Sequence, residues 1–212
     1  MDTEITKTAT KKQKENKADE VRNITGVIET KKRSNSHILD IVYVAMFTAI
    51  ITICSQIEIP TAIPFTMQTF AVFAAAGILG AKKGTLSVLL YILIGAIGIP
   101  VYAQWTGGAG ILFGITGGYI AGFIFIALIV GRMCDKLGRK LWVLAVSMTI
   151  GMIVCYAFGT VWFIFVCSRQ AEPVDFISAL GLCVIPYLPF DAAKIAAATI
   201  IVNRLKKPLH LS

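Results

Sequence analysis

The sequence predicts an all-α, multi-pass membrane protein built from six transmembrane helices, with both chain termini in the cytoplasm. Three observations lead to this fold class. Hydrophobic residues make up 56% of the 212 residues and charged residues only 15%, against about 25% charged residues in soluble domains. The charges leave long uncharged blocks between them. The Lys and Arg residues also gather on one side of the helices that these blocks predict.

Four stretches contain no Asp, Glu, Lys or Arg, namely residues 41–57, 59–81, 84–131 and 141–168. A helix needs roughly 20 predominantly apolar residues to cross the hydrocarbon core. The longest block therefore has room for two spans and the turn between them. The predicted membrane domain covers residues 38–205.

Proline, glycine and charged residues mark the ends of the predicted helices. Glu58 and Pro60 close the first, the segment 82–84 (Lys-Lys-Gly) separates the second from the third, and Pro100 stops the third. Two prolines precede the last helix, where proline is tolerated in the first turn. The predicted spans are residues 38–57, 65–81, 85–99, 116–133, 141–166 and 190–205, with a short extra helix over 176–184.

The positive charges indicate the orientation. All of the 20 Lys and Arg residues except Arg169 and Lys194 fall on one side of a six-helix arrangement. The positive-inside rule places that side, and both termini, in the cytoplasm. The net charge of +8 then belongs to short anchors that flank membrane helices, and a nucleic-acid partner is not expected.

The two ends of the chain are predicted to be tails. Residues 1–37 are polar, contain no Phe, Trp or Tyr, and lack the apolar core of a cleavable signal peptide. This composition predicts a disordered cytoplasmic tail, and residues 206–212 form a second, short one. His37 and His210 lie outside the predicted spans. The chain shows no nucleotide-binding or metal-binding motif, so neither an enzyme nor a metal or cofactor site is expected.

Asp191 and Lys194 lie inside the last apolar stretch. A charged side chain at the centre of a membrane helix costs roughly 2.5–3.5 kcal/mol on insertion scales. Residues three apart share a helix face, so the two charges partly neutralise each other. Their remaining hydrogen-bonding capacity is expected to point at something polar, with a purely structural ion pair as the alternative.

Weaker candidates for ligand contact lie in the second and third helices, in the Gly-rich loop after the third and at the start of the fourth. Gln68 and Tyr91 are polar residues in apolar surroundings. The Gly-rich run 107–119 fits a loop folded back over a pocket, because glycines allow close backbone approach; simple helix packing is the alternative. Its candidate contacts are Gly107, Gly108, Thr116 and Tyr119.

Five motifs, in order along residues 38–205, resemble the BioY family, the biotin-specific substrate-binding components (S-components) of energy-coupling-factor (ECF) transporters. They begin with Ile63–Phe70, which looks like the P-x-T-x-Q-T signature of that family. Two features depart from the family pattern: the long tail, and Ile115 where the family usually has Pro. The other four motifs are Gly80–Gly84, Tyr91–Pro100, Gly114–Phe123 and Ile185–Lys194.

The resemblance implies a six-helix S-component that binds biotin from outside the bacterial plasma membrane and topples to release it inside. It also implies a transmembrane coupling protein and two ATPase subunits as partners, so ATP hydrolysis is expected only in those subunits. The Ala-x-x-x-Ala stripe of the first helix maps onto Ala45 and Ala49 as the contact with the coupling protein. Ordinary helix packing is the alternative for such a stripe.

Biotin chemistry suits these residues. Asp191 can accept the ureido N–H groups and Lys194 can donate to the ureido C=O, because charged partners make the stronger hydrogen bonds. Walls for the thiophane ring are expected from Phe65, Trp105 or Tyr187. The valerate carboxylate is expected at the backbone N–H groups of residues 107–110 or at Thr116.

Three other functions remain open at this point. The nearest is an S-component for another vitamin. The second is a proton-coupled small-molecule carrier with Asp191 as the titrating group, and the third is a structural or chaperone subunit of a membrane complex.

Overall fold

The structure is a computed structural model that describes residues 37–59, 65–169 and 175–205. The predicted tails lie outside these ranges, apart from His37, which begins the first helix. Contacts divide the chain into residues 1–42 and residues 43–212. Of the first unit, only the opening residues of the first helix are described.

Helices dominate the described residues. Helix α1 covers His37–Ser55 and leads into a two-stranded antiparallel hairpin, in which β1 (Glu58–Ile59) pairs with β2 (Phe65–Thr66). The later helices are α2 (Gln68–Ala96), α3 (Ala109–Phe113), α4 (Gly117–Leu137), α5 (Leu141–Arg169), α6 (Phe176–Cys183) and α7 (Leu188–Leu205). Single 3₁₀ turns occur at Ala103–Trp105 and Ile185–Tyr187.

Five of the described helical stretches are long and apolar enough to cross a membrane. This confirms the all-α, multi-pass membrane class. Most observed bounds agree with the predicted ones within a few residues, including the short helix α6. The stretches are His37–Ser55, Gln68–Ala96, Gly117–Leu137, Leu141–Arg169 and Phe176–Leu205, the last of which combines α6, a 3₁₀ turn and α7.

The predicted second and third helices are the two halves of α2, and they meet at Gly80. This residue has φ +77° and ψ −174°, a conformation that favours glycine. A Cβ atom on Gly84 would lie only 2.8 Å from the Cα of Ala76. Residues eight apart in a straight helix are about 12 Å apart along its axis, so the chain folds back. The turn was predicted at 82–84 and lies at Gly80 instead.

Two charged side chains from the end of α4 and the segment after it hold the turn at Gly80. The Nε of Arg139 donates to the Gly77 carbonyl at 2.6 Å and its Nη2 to the Ile78 carbonyl at 3.3 Å. The carboxylate of Asp135 accepts the Ala81 N–H at 2.9 Å. The last carbonyls of one helix and the first N–H groups of the next have no intrahelical partner, and Arg139 and Asp135 supply partners here.

The first half of α2 forms the centre of the packed domain, because residues 71–78 are all buried. Helix α7 runs beside it in the same direction. Lys194 lies against Thr66, and eight residues later Val202 lies against Gly77, where an added Cβ would come within 3.0 Å of Val202. Helices α4 and α5 approach each other closely at Gly122, where a Cβ would lie 2.6 Å from the Cys155 Sγ. This packing brings the start of α2, the middle of α5 and the start of α7 together.

Replacing Arg139 by Gln is expected to destabilise the domain by about 3 kcal/mol or more, since Arg139 makes two hydrogen bonds and bonds to charged groups contribute roughly 1.5–3 kcal/mol each. The free energy of unfolding in detergent is the measurement. Arg132→Gln removes the same charge from an exposed position in α4, seven residues before Arg139. It is expected to change stability little. Equal effects of the two substitutions would contradict a specific role of Arg139 at the turn.

Candidate functional site

The buried ion pair predicted from the sequence lies at the beginning of α7. Lys194 Nζ is 2.8 Å from Asp191 Oδ1, and each residue is only 5% exposed. Asp191 lies in the first turn of α7, where the N-terminal partial charge of a helix favours a carboxylate. Helical spacing places Lys194 on the same face, so a single helix supplies both charges.

Lys194 also binds the beginning of α2 and the hairpin before it. Its ammonium donates to the Thr66 carbonyl at 2.6 Å and to Thr69 Oγ1 at 3.2 Å, and it lies 3.9 Å from the centre of the Phe65 ring. An ammonium group has three donors, and all three have protein partners once Asp191 is included. The Thr69 bond is the longest of them.

Tyr156 of α5 is a site residue that sequence reasoning missed. Its hydroxyl donates to Asp191 Oδ2, so both carboxylate oxygens have a protein donor. A carboxylate offers about four lone-pair positions, and Asp191 therefore keeps acceptor capacity for another group. Tyr156 lies in a long helix whose few polar residues do not gather on one side, so the sequence does not indicate which side faces α7.

A cavity opens beside this cluster. Aromatic side chains from the hairpin, α4, α5 and the 3₁₀ turn before α7 provide much of its wall, while Asp191 and Lys194 provide its charges. Its lining residues are Phe65, Thr66, Thr69, Tyr119, Phe123, Met152, Cys155, Tyr156, Cys183, Tyr187, Asp191 and Lys194.

Several residues predicted for the site line this cavity together. Phe65 and Tyr187, expected as apolar walls, stack with ring centroids 6.0 Å apart. Tyr119 also lines the cavity, and its hydroxyl lies 3.2 Å from Thr160 Oγ1. The predicted pair and three of the predicted neighbours are thus brought together.

Gln68 and Tyr91 do not line the cavity. Both are buried. Tyr91 donates to the Val101 carbonyl at 3.1 Å and packs edge-on against Tyr102. Tyr102 in turn donates to the Ile92 carbonyl at 2.8 Å, and burial raises the pKa of its phenol to about 12. These two hydrogen bonds attach the segment after α2 to α2 itself.

Residues 107–110 and Thr116 of the Gly-rich run do not line the cavity either. Gly108 N–H donates to the Gly95 carbonyl at 2.7 Å, and a Cβ on Gly107 would lie 2.5 Å from the Ile99 carbonyl. Thr116 directly precedes α4 without capping it through its side chain, and Trp105 is 70% exposed. The close backbone approach expected of these glycines occurs, but against the end of α2.

Ala45 and Ala49 are exposed on α1. They alternate with Val44 and Thr48, which are buried, and Thr48 donates to the Ser87 carbonyl of α2 at 3.1 Å. One side of α1 thus packs on the domain, and the alanine stripe is left on the outside.

The fold and the site together define a multi-pass membrane protein with a charged, aromatic-lined cavity whose chemistry suits a small polar molecule. Among the described residues, no group of three His, Cys, Asp or Glu side chains is arranged to hold a metal ion. The family model described as the BioY family matches residues 28–210. The chain belongs to the BioY family.

Relatives and a solved structure agree with this assignment. The chain is 41% identical to the "Biotin transporter BioY" of Thermotoga maritima over 163 residues, which is 76% of this chain and 92% of that protein. It is 38% identical to the "Probable biotin transporter BioY" of Pyrococcus horikoshii, over 77% of this chain and 93% of that protein. A crystal structure of the S-component for biotin from an ECF-type ABC transporter superposes with a TM-score of 0.74 at 27% identity, covering 82% of this chain and 93% of that one.

Replacing Lys194 by Met is expected to destabilise the protein by about 3–5 kcal/mol, because it leaves a buried carboxylate without its ionic partner. The double variant Asp191→Asn/Lys194→Met removes both charges and is expected to recover part of that loss. Unfolding free energies in detergent, measured without biotin, give the comparison. Lys136→Met, at an exposed position near the end of α4, is the matched control. A double variant less stable than Lys194→Met alone would contradict the charge-pairing account.

Proposed function

We propose that this protein binds biotin and takes it up across the membrane as the S-component of an ECF-type transporter. The observation that carries the proposal is the buried Asp191–Lys194 pair in the wall of an aromatic cavity, in a chain of the BioY family. The names of its relatives and the biotin S-component structure support the same ligand.

The ureido group of biotin has two N–H donors and one C=O acceptor, and the pair offers a partner for each. Asp191 has lone pairs left to accept an N–H group. Lys194 has no unused donor, so it must exchange one partner for the ligand carbonyl. The Thr69 hydroxyl, at 3.2 Å, is the weakest of the three and the one that we expect to be exchanged.

The apolar parts of biotin fit the rest of the wall. Phe65 and Tyr187, whose rings stack against each other in the cavity wall, provide the surface for the thiophane ring. The valerate carboxylate remains assigned to the backbone N–H groups of residues 107–110 or to Thr116, and Gln68 and Tyr91 remain predicted contacts. Because none of these lines the cavity, those contacts require the ligand or the Gly-rich segment to extend beyond it.

We further propose six spans, with both termini on the cytoplasmic side of a bacterial plasma membrane. The fold-back at Gly80 supplies the sixth span, and the parallel course of α7 and the first half of α2 agrees with an even number of crossings. The Lys and Arg distribution supports the orientation. The energising partners in this proposal are a transmembrane coupling protein and two ATPase subunits, with exposed Ala45 and Ala49 as the contact surface for the coupling protein.

Calorimetric titration of the purified full-length protein with biotin tests the binding role. Wild type is expected to bind, and Asp191→Asn to lose at least about tenfold in affinity, since it removes a charge-assisted acceptor. Asp175→Asn, on an exposed carboxylate before α6, is the matched control. Biotin binding by Asp191→Asn at wild-type affinity would contradict the ureido assignment.

Competing functions predict other outcomes of related measurements. Displacement of labelled biotin by riboflavin or thiamine would favour a different vitamin. Uptake that survives loss of the ATPase subunits but collapses with an uncoupler would favour a proton-coupled carrier. Failure of the wild-type protein to bind any of these ligands would favour a structural subunit.

Ala45→Leu and Ala49→Leu are expected to abolish ATP-dependent uptake and to leave biotin binding by the isolated protein unchanged, because bulk on the stripe blocks close helix approach. Uptake into cells or vesicles that contain the coupling protein and the ATPases is the measurement. Ala197→Leu adds the same bulk at an exposed position of α7 and is expected to transport normally. Normal uptake by both α1 variants would rule out this stripe as the contact surface.

A further inference from the structure

Tyr156 lies where the binding cavity meets a second, apolar groove between α5 and α7. Met152, Tyr156 and Asp191 line both spaces. The rest of the groove is mainly aliphatic, with Ile153, Leu188, Ile195 and Ile200 among its lining residues. The Tyr156–Asp191 hydrogen bond therefore lies where the charged cavity and the apolar groove meet.

The two oxygens of Asp191 have different surroundings. Oδ1 is held by Lys194 at 2.8 Å, on the same helix. Oδ2 is held by the Tyr156 hydroxyl, which comes from α5. A carboxylate on one ionic bond alone is able to rotate about its side-chain torsions, whereas bonds from two helices define its plane. A buried polar oxygen left without a donor is also unfavourable, so the tyrosine hydroxyl both orients and satisfies Oδ2.

We propose that Tyr156 is a positioning residue for substrate recognition, which fixes the Asp191 carboxylate so that its remaining lone pairs meet a ureido N–H group of biotin. This inference rests on the proposed function. Tyr156 acts through Asp191 and does not itself need to contact the ligand. Tyr156 lines both the cavity and the apolar groove, a span that a short hydroxyl side chain would not cover.

The test compares two ligands in wild type and in Tyr156→Phe, using the full-length protein. One ligand is biotin, and the other is a biotin analogue methylated on one ureido nitrogen, which lacks one N–H donor. Wild type is expected to prefer biotin strongly. Tyr156→Phe keeps the ring and is expected to lose about tenfold in biotin affinity, with a smaller preference for biotin over the methylated analogue. A merely structural role would lower both affinities equally and leave that preference unchanged, which would overturn the inference.

A double-mutant cycle with Asp191→Asn provides the second readout. If Tyr156 acts through Asp191, adding Tyr156→Phe to Asp191→Asn is expected to cost much less than the same substitution in wild type, because coupled residues are not additive. Tyr119→Phe is the matched control, since this tyrosine lines the same cavity but bonds Thr160. Its effect is expected to be the same in both backgrounds. Full additivity for Tyr156→Phe would overturn the role.

A second pair of variants keeps the test decisive if Tyr156→Phe cannot be purified. Tyr156→Leu then removes the hydroxyl, and Tyr156→His retains a ring N–H donor that is expected to restore part of the preference for biotin. Equal preference in these two variants would count against positioning. Absence of biotin binding by wild type would overturn the proposed function and this role with it, whereas wild-type binding with an unchanged Tyr156→Phe would overturn the role of Tyr156 alone.

Discussion

The ion pair of Asp191 and Lys194 constrains how the helices of this domain pack. Removing two charges from water is costly even when they are paired, unless further hydrogen bonds satisfy the remaining donors and acceptors. Helix α7 supplies only the pair itself. The additional partners come from the start of α2, through Thr66 and Thr69, and from α5, through Tyr156. Three segments distant in sequence must therefore meet at the beginning of α7, and the cavity lies where they meet.

The first half of α2 is held by a cation at each end. Lys194 binds Thr66 and Thr69 at its beginning, and Arg139 binds the carbonyls of Gly77 and Ile78 at its end. Between these points every residue from 71 to 78 is buried. Lys194 belongs to α7 and Arg139 follows α4, so the first half of α2 is connected at its two ends to two different neighbouring segments. A central helix fixed in this way gives the hairpin residue Phe65 a defined place in the cavity wall.

The fold was predictable because membrane insertion imposes long uncharged blocks and an asymmetric distribution of Lys and Arg. The pair Asp191–Lys194 was predictable for the same reason, since charges in such a block stand out. The sequence predicts the turn at the Lys-Lys-Gly segment 82–84 and not at Gly80. Charged residues are a clear sign of a helix end in a membrane protein, whereas nothing in the sequence shows which glycine adopts a left-handed conformation. Polarity alone points to Gln68 and Tyr91 as ligand contacts, whereas in the structure Tyr91 bonds the backbone of the segment after α2. Tyr156 has the same polarity as Tyr91, but a helix that is apolar on nearly all sides does not show which side faces its neighbour, so no pattern distinguished Tyr156 as a site residue.

The hydrogen bonds already made by the pair define what kind of ligand the site can accept. Lys194 gives up a protein acceptor only for a ligand that offers another, and Asp191 gains only from a ligand that brings a donor. A purely apolar molecule of suitable shape would offer neither, and sites built from buried polar groups discriminate strongly against ligands that leave those groups unpaired. A cyclic urea carries an acceptor flanked by donors within a few atoms, which matches an ammonium and a carboxylate held 2.8 Å apart. In the proposed binding mode, specificity therefore comes from the exchange of hydrogen-bond partners by Asp191 and Lys194. The aromatic walls determine only the shape of the ligand that fits.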